Sequence, residues 1–338
     1  MRRSDKRLSS RGTVPLGSRR AHGFGAGALL LLAALLASLG LSLLASRPGD
    51  TRLGYLSPPS SLGGLGQREE AGFAPEIGVC TSIANAATAA RAGCDYIEEG
   101  ARSFLVPDRP DADFRVKLEL LKGSPLPVAA CNSFLPGELK SVGPEARHDD
   151  ILAYAGTAFR RAREAGIRHI VFGSSGSRDI PEGFDAGEAR RQFVALLRRL
   201  GPLAREQGVV VAVEPLRREE CNFINTVAEG AAIVREVDDP GVRLLADIYH
   251  MLCEDEGPGS IVAAGPLLAH CHVAEEDGRS APGVHGEDFT PYLKALRKIG
   301  YAGGISIECR WTDLAEELPV AVKTLKAQIA RAGSAADK

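Results

Sequence analysis

The run Val209-Val210-Val211-Ala212-Val213 leads directly into Glu214 and Pro215. Five consecutive apolar residues, mostly β-branched, describe a short strand buried on both faces, the kind found in parallel sheets. A carboxylate at the C-terminal end of such a strand stands where an α/β barrel builds its site. The same form recurs downstream. Val242 to Ala246 ends on Asp247, His270-Cys271-His272-Val273 carries two imidazoles, and Gly304 to Ile307 ends on Glu308.

Upstream, Ile77 to Thr81, Tyr96 to Glu98, Val128 to Asn132 and His169 to Phe172 complete a set of eight strands. Amphipathic runs lie between them, clearest at Ile151 to Ala165, Ala186 to Gln207, Val227 to Val237, Pro291 to Ile299 and Leu314 to Ala330. Several of these runs meet a glycine just past the last turn, at Gly166, Gly208 and Gly300, which fits a left-handed C-cap. The alternation predicts an α/β fold, a closed (β/α)8 TIM barrel. An open doubly wound sheet competes, but the first strand runs into Thr81-Ser82-Ile83-Ala84-Asn85, which is no glycine-rich nucleotide loop. No repeat of 20 to 50 residues points to a solenoid.

The 338 residues divide by composition into three parts. Residues 1–45 read as a signal peptide or signal anchor: seven arginines and lysines precede an uncharged apolar run from Ala26 to Ala45, about 30 Å long as a helix. The expectation is export or membrane anchoring on the periplasmic side of a bacterium. If the segment is only a translated upstream extension, the protein stays cytoplasmic. Residues 46–74, rich in Gly, Pro and Ser, predict a disordered linker. The barrel is expected over 75–332.

Charge excludes one class of function. Residues 1–50 carry a net +6 and the remainder −8, and an acidic body does not suit nucleic-acid binding, which draws its affinity from phosphate neutralisation. The seven cysteines form no C-x-x-C pair and are odd in number, so they read as buried thiols on the packing side.

Alternation along the strands brings the polar ends together. If His272 points into the barrel mouth, His270 lies on the same inner side one layer deeper, while Cys271, Ile307 and Cys309 face the helical shell. A lone strand-end acid is as often a helix cap or an ion-pair partner as a ligand. Four such residues on consecutive strands argue for a site, and three converging carboxylates need protonation or a cation. Three oxygens and an imidazole suit one divalent metal ion, Mn²⁺ best, with Mg²⁺, Co²⁺ or Zn²⁺ as substitutes.

Strands 5 and 8 stand three steps apart in an eight-stranded ring, which sets Glu214 and Glu308 on opposite sides of a bound molecule. The expected reaction is proton abstraction beside a ketone through a metal-stabilised enediolate, one glutamate removing the proton and the other returning it. Return to the opposite face gives epimerisation, and return to the neighbouring carbon gives aldose/ketose isomerisation.

At these residues the sequence resembles the xylose isomerase-like TIM-barrel superfamily, and within it the sugar phosphate isomerase/epimerase and ketose 3-epimerase (tagatose/psicose epimerase) proteins. The resemblance rests on Val213-Glu214-Pro215-Leu216 through Glu220-Cys221-Asn222-Phe223-Ile224-Asn225-Thr226, on Asp247-Ile248-Tyr249-His250-Met251, on His270-Cys271-His272-Val273-Ala274-Glu275 with Arg279 and Pro282-Gly283, and on Ile307-Glu308. It implies that Glu214, Asp247, His272 and Glu308 hold the metal and that Glu220, His250 and Arg279 contact a small-molecule sugar. Arg279 stands one residue further from His272 than that pattern leads one to expect. His270 is expected to be a hydrogen-bonded core residue rather than a ligand. A homo-oligomer is allowed, and a membrane partner only through an uncleaved N-terminal segment.

Other polar residues carry weaker expectations. Gly173-Ser174-Ser175-Gly176-Ser177-Arg178 reads as a flexible loop, with a phosphate or sugar-carboxylate site as the alternative. Glu98 and Glu99 would reach sugar hydroxyls or pair with Arg102. His169 falls on the stability face, His148 starts a solvated helix, and His285 lies in a loop over the mouth. Endonuclease IV-like DNA repair ranks low because it needs additional histidines. An inosose dehydratase-like lyase shares the ligand set, and an exported, non-catalytic sugar-binding barrel would have no use for two opposed glutamates.

Overall fold

A computed structural model describes residues 73–334. The expected signal or anchor segment, the linker and the possibility of membrane attachment all concern residues outside that range. Among the described residues, no helix is long and apolar enough to cross a membrane.

Eight parallel strands close in sequence order: β1 (Ile77–Cys80), β2 (Tyr96–Gly100), β3 (Val128–Asn132), β4 (His169–Phe172), β5 (Val210–Val213), β6 (Val242–Asp247), β7 (Leu268–Val273) and β8 (Ile305–Ile307). β8 returns to β1 through Ile77 opposite Ile305, which seals the ring. Helices on the outside bury their apolar faces against the strands. The longest is Ala186–Glu206, where Phe193, Leu196, Leu197 and Leu200 are buried at helical spacing and Asp185 caps the first turn. Gly166, Gly208 and Gly300 have φ of +77°, +69° and +66°, the left-handed turns their positions predict.

Several helices escaped the sequence reading, among them Ala86–Ala92 and Asp111–Lys122. In the second, Phe114 is buried and Leu118 and Leu121 pack beside it, but the exposed Val116 and Leu120 overlay a two-residue alternation on that helical spacing. The interior of the ring is mixed. Val171, Ala212 and Leu245 make a small apolar cluster, while Tyr96 crosses from β2 toward β1 and β8. A Cβ on Gly78 would sit 2.1 Å from the Tyr96 ring, and one on Gly304 would lie 2.5 Å from its hydroxyl, so glycine at both positions makes room for the phenol. Tyr96 Oη and Ser306 Oγ are hydrogen-bonded at 2.9 Å.

Candidate functional site

Glu214 follows β5, Asp247 ends β6, His272 lies in β7 and Glu308 follows β8. One ligand atom from each lies within 4.8 Å of all the others. Period-two alternation put them on the inner face, and closure of the ring brought the faces together. Asp247 unites the two roles weighed for a strand-end acid. Its Oδ1 accepts from Tyr249 N–H at 2.9 Å as a helix cap, while Oδ2 faces the cluster.

The glutamates are set by their backbone surroundings. Gly173, at the end of β4, leaves the space that Glu214 fills: a Cβ there would lie 2.2 Å from Glu214 Oε2. Arg178 is fully buried and donates through Nη1 to the carbonyls of Phe172 and Glu214, at 3.2 and 2.7 Å. This corrects the expectation for residues 173–178. Residues Ser175–Arg178 form a helical turn, and the guanidinium fastens the backbone beside Glu214 instead of facing the mouth.

His272 Nδ1 stands 3.2 Å from Glu214 Oε1 and 3.0 Å from Glu308 Oε2. Arg279 Nη2 stands 2.6 Å from Glu308 Oε2 and 3.3 Å from Asp247 Oδ2, and its guanidinium lies 4.6 Å over the Tyr249 ring. Arg279 has φ of +54° beside Gly278 at +68°, a backbone turn that swings the side chain into the site despite its extra residue of spacing from His272. Glu220 Oε1 is 3.8 Å from Arg279 and 3.0 Å from Arg217, at the half-exposed rim. His250 is buried: its Nδ1 accepts from Arg217 N–H at 3.2 Å, while Nε2 lies 3.5 Å from Asp247 Oδ2 without a hydrogen-bond partner among the described residues. All seven residues selected from the sequence thus meet at one mouth.

Crowding of like charge shows in the acidities. Burial pushes Glu214 up and Asp247 up to about 7. Burial also opposes charge on Glu308, but His272 and Arg279 outweigh it and hold that carboxyl down at about 2. For His272, burial is overcome by Glu98 and Glu308, which raise the imidazole well above its ordinary value. Burial and Arg279 lower His250 to about 3. Three carboxylates and one imidazole are a donor set that fits a hard divalent cation, and the Arg279 guanidinium, which has no lone pair, stands outside it.

Three neighbours were misread or missed. Cys80 does not lie on the packing side: its Sγ stands with Glu98 and His272 in a second group of ligand-type atoms within 4.8 Å of one another. Cys271 is fully buried as expected, and all seven cysteines are free thiols. Glu98 does not reach toward the mouth or Arg102. It is buried between His270 Nε2 at 2.7 Å and His272 Nε2 at 3.0 Å, while Glu99 accepts from Ile83 N–H at 2.6 Å. Asn132, at the end of β3, donates to Glu308 Oε1 at 2.7 Å. Its position at a strand end was the only available signal.

Of the remaining histidines, His270 is the hydrogen-bonded core residue expected, and His169 stacks on it with ring centroids 5.5 Å apart. His148 starts its helix half-buried, with Nε2 2.9 Å from the Ser141 carbonyl. His285 is exposed and lies near Ser280 and Asp277, and the loop holding it is anchored by Glu275.

Comparison with known proteins matches residues 86–329 to the xylose isomerase-like TIM barrel family. An L-ribulose 3-epimerase of Methylomonas sp. is 30% identical over 226 residues, covering 66% of this chain and 76% of that protein. A D-psicose 3-epimerase of Agrobacterium fabrum is 27% identical over 227 residues, covering 65% and 76%. The solved structure of a D-allulose 3-epimerase from Methylomonas sp. in complex with D-allulose superposes with a TM-score of 0.63 at 27% identity, covering 76% of this chain and 99% of that one. Fold, matched span and relatives agree: the chain belongs to the xylose isomerase-like TIM barrel family.

Proposed function

We propose that this protein is a divalent-metal-dependent sugar epimerase acting on a ketose, with Glu214 and Glu308 as the acid/base pair. The observation that carries the reading is the convergence of Glu214, Asp247, His272 and Glu308 ligand atoms within 4.8 Å at the C-terminal mouth of the barrel. Relatives named as ketose 3-epimerases support an isomerase, and neither a lyase nor a non-catalytic binding barrel is favoured by them.

Those four residues would hold the ion, and the hard donor set favours Mn²⁺ over softer cations. When bound, the cation supplies positive charge to the carbonyl and hydroxyl oxygens beside the carbon that gives up its proton. The chain's own groups do the rest. Glu214 stands just past β5 and Glu308 just past β8, each with an oxygen beside His272 Nδ1, so that one can take the proton and the other return it. Arg279, Glu220 and His250 form the polar wall that would orient the sugar hydroxyls, with Arg279 bracing Glu308. Turnover in D₂O with a panel of free and phosphorylated ketoses tests the reading. Deuterium should enter at the epimerised carbon, and E214Q and E308Q should abolish it. A sugar that binds without exchange would make the protein a receptor, and loss of a hydroxyl would make it a lyase.

A further inference from the structure

Glu98 lies outside the proposed acid/base and ligand set, yet its carboxylate is buried in the barrel interior directly beneath His272. Oε1 accepts from His272 Nε2 at 3.0 Å, and Oε2 accepts from His270 Nε2 at 2.7 Å and from Ser306 Oγ at 2.6 Å. Ser306 is bonded in turn to Tyr96, whose ring is fitted between Gly78 and Gly304. The carboxylate is therefore held from three sides, on rigid strands, and cannot rotate away from His272. On the other edge of the same ring, Nδ1 faces Glu214 and Glu308.

We infer that Glu98 is a positioning residue for the metal centre, fixing the His272 ring and its tautomer so that Nε2 keeps its hydrogen and the Nδ1 lone pair is presented to the cation. A carboxylate cannot donate, so the nitrogen facing it must carry the hydrogen, and the opposite nitrogen becomes the ligand atom. Orientation by such an outer carboxylate removes the alternative tautomer, which has no lone pair on the metal side. The inference rests on the metal-centre reading above.

Mn²⁺ binding to the metal-stripped full chain, followed by chelator competition, tests it without any turnover. Replacing the carboxylate by a hydrocarbon, E98L, should weaken Mn²⁺ binding by about 10- to 100-fold, and E98Q, which keeps one acceptor oxygen, should recover most of that loss. Unchanged Mn²⁺ affinity in both folded variants overturns the inference. Should E98L fail to fold, ¹⁵N-histidine spectra of the wild-type chain loaded with diamagnetic Zn²⁺ serve instead. The signals lost in H272Q must show hydrogen on Nε2 and the metal shift on Nδ1, and the reverse assignment overturns the proposal. Cys80 provides another decisive outcome: a second equivalent of metal that disappears in C80S would make Glu98 a ligand rather than an orienting acceptor. D247N separates the two readings. If it abolishes Mn²⁺ binding while E98L leaves the affinity at the wild-type value, the metal centre stands and the role of Glu98 falls; if wild-type protein binds no Mn²⁺, both fall.

Discussion

Asn132 and Glu308 are 176 residues apart in the chain and 2.7 Å apart in the barrel, with the amide of Asn132 donating to Glu308 Oε1. With Arg279 on Oε2, both oxygens of that carboxylate are engaged, one by a neutral donor and one by a charged one. N132A should therefore free one oxygen to rotate. A single hydrogen bond of this kind is worth about 1.5 kcal/mol, so its loss in the transition state should lower kcat for epimerisation by about 10-fold, and its loss from the resting protein should lower the melting temperature by about 2–4 °C. Steady-state kinetics beside a thermal melt checks this, and unchanged kcat would remove Asn132 from the site.

Gly173 yields a sharper steric prediction. Since an added Cβ would stand 2.2 Å from Glu214 Oε2, G173A must displace the glutamate or the β4 backbone. The expected cost is about 1–3 kcal/mol of stability, together with loss of Mn²⁺ binding. Calorimetry of ligand binding on the folded variant would reveal a wild-type affinity if the backbone simply yields.

Metal removal should loosen the barrel mouth. Dialysis against a chelator should lower the melting temperature, and Mn²⁺ at about 100 times its Kd should restore about 2.7 kcal/mol of stability. In D247N the Mn²⁺-dependent rise should vanish. A melting temperature indifferent to Mn²⁺ in the wild-type chain would contradict the candidate centre.

His169 predicts how stability depends on pH. Burial, together with His270 and Arg168, lowers its pKa from 6.5 to about 4. Between those values the unfolded chain binds a proton that the folded chain refuses. The contribution is present above pH 6.5 and is lost progressively as pH falls toward 4. Urea midpoints measured across that window should decline less steeply in H169Q than in the wild type, and parallel curves would exclude this histidine as a source of the slope.

Glu275 anchors the loop after β7. Its buried carboxylate accepts from the amides of Gly283 at 2.6 Å, Gly286 at 3.1 Å and Glu287 at 3.2 Å, and from that of His285. E275A should cost about 3 kcal/mol and expose residues 283–287 to proteolysis. Resistance to protease equal to that of the wild type would show that the loop is held by something else.

The eight strands were legible because each is a compact apolar run followed by a turn, and every observed boundary falls within two residues of the reading. The four ligand-type side chains were legible for a related reason: alternation along a strand assigns a face without knowledge of the partner strand. Asp111–Lys122 was invisible because its exposed Val116 and Leu120 mask the helical spacing of Phe114, Leu118 and Leu121 with a two-residue alternation. Cys80 was misassigned because its run is too short for its side to be judged without the ring closed around it.

Local patterning thus determined the barrel and the strand ends that bear chemistry, since short-range sterics and hydrophobic periodicity are properties of neighbouring residues. Only the tertiary structure decided what supports them. The partnerships of Glu98 with His272, Asn132 with Glu308, and Arg178 with the Glu214 carbonyl join residues from different strands and loops. Such contacts exist only once closure of the sheet has set every strand's height and tilt against the others.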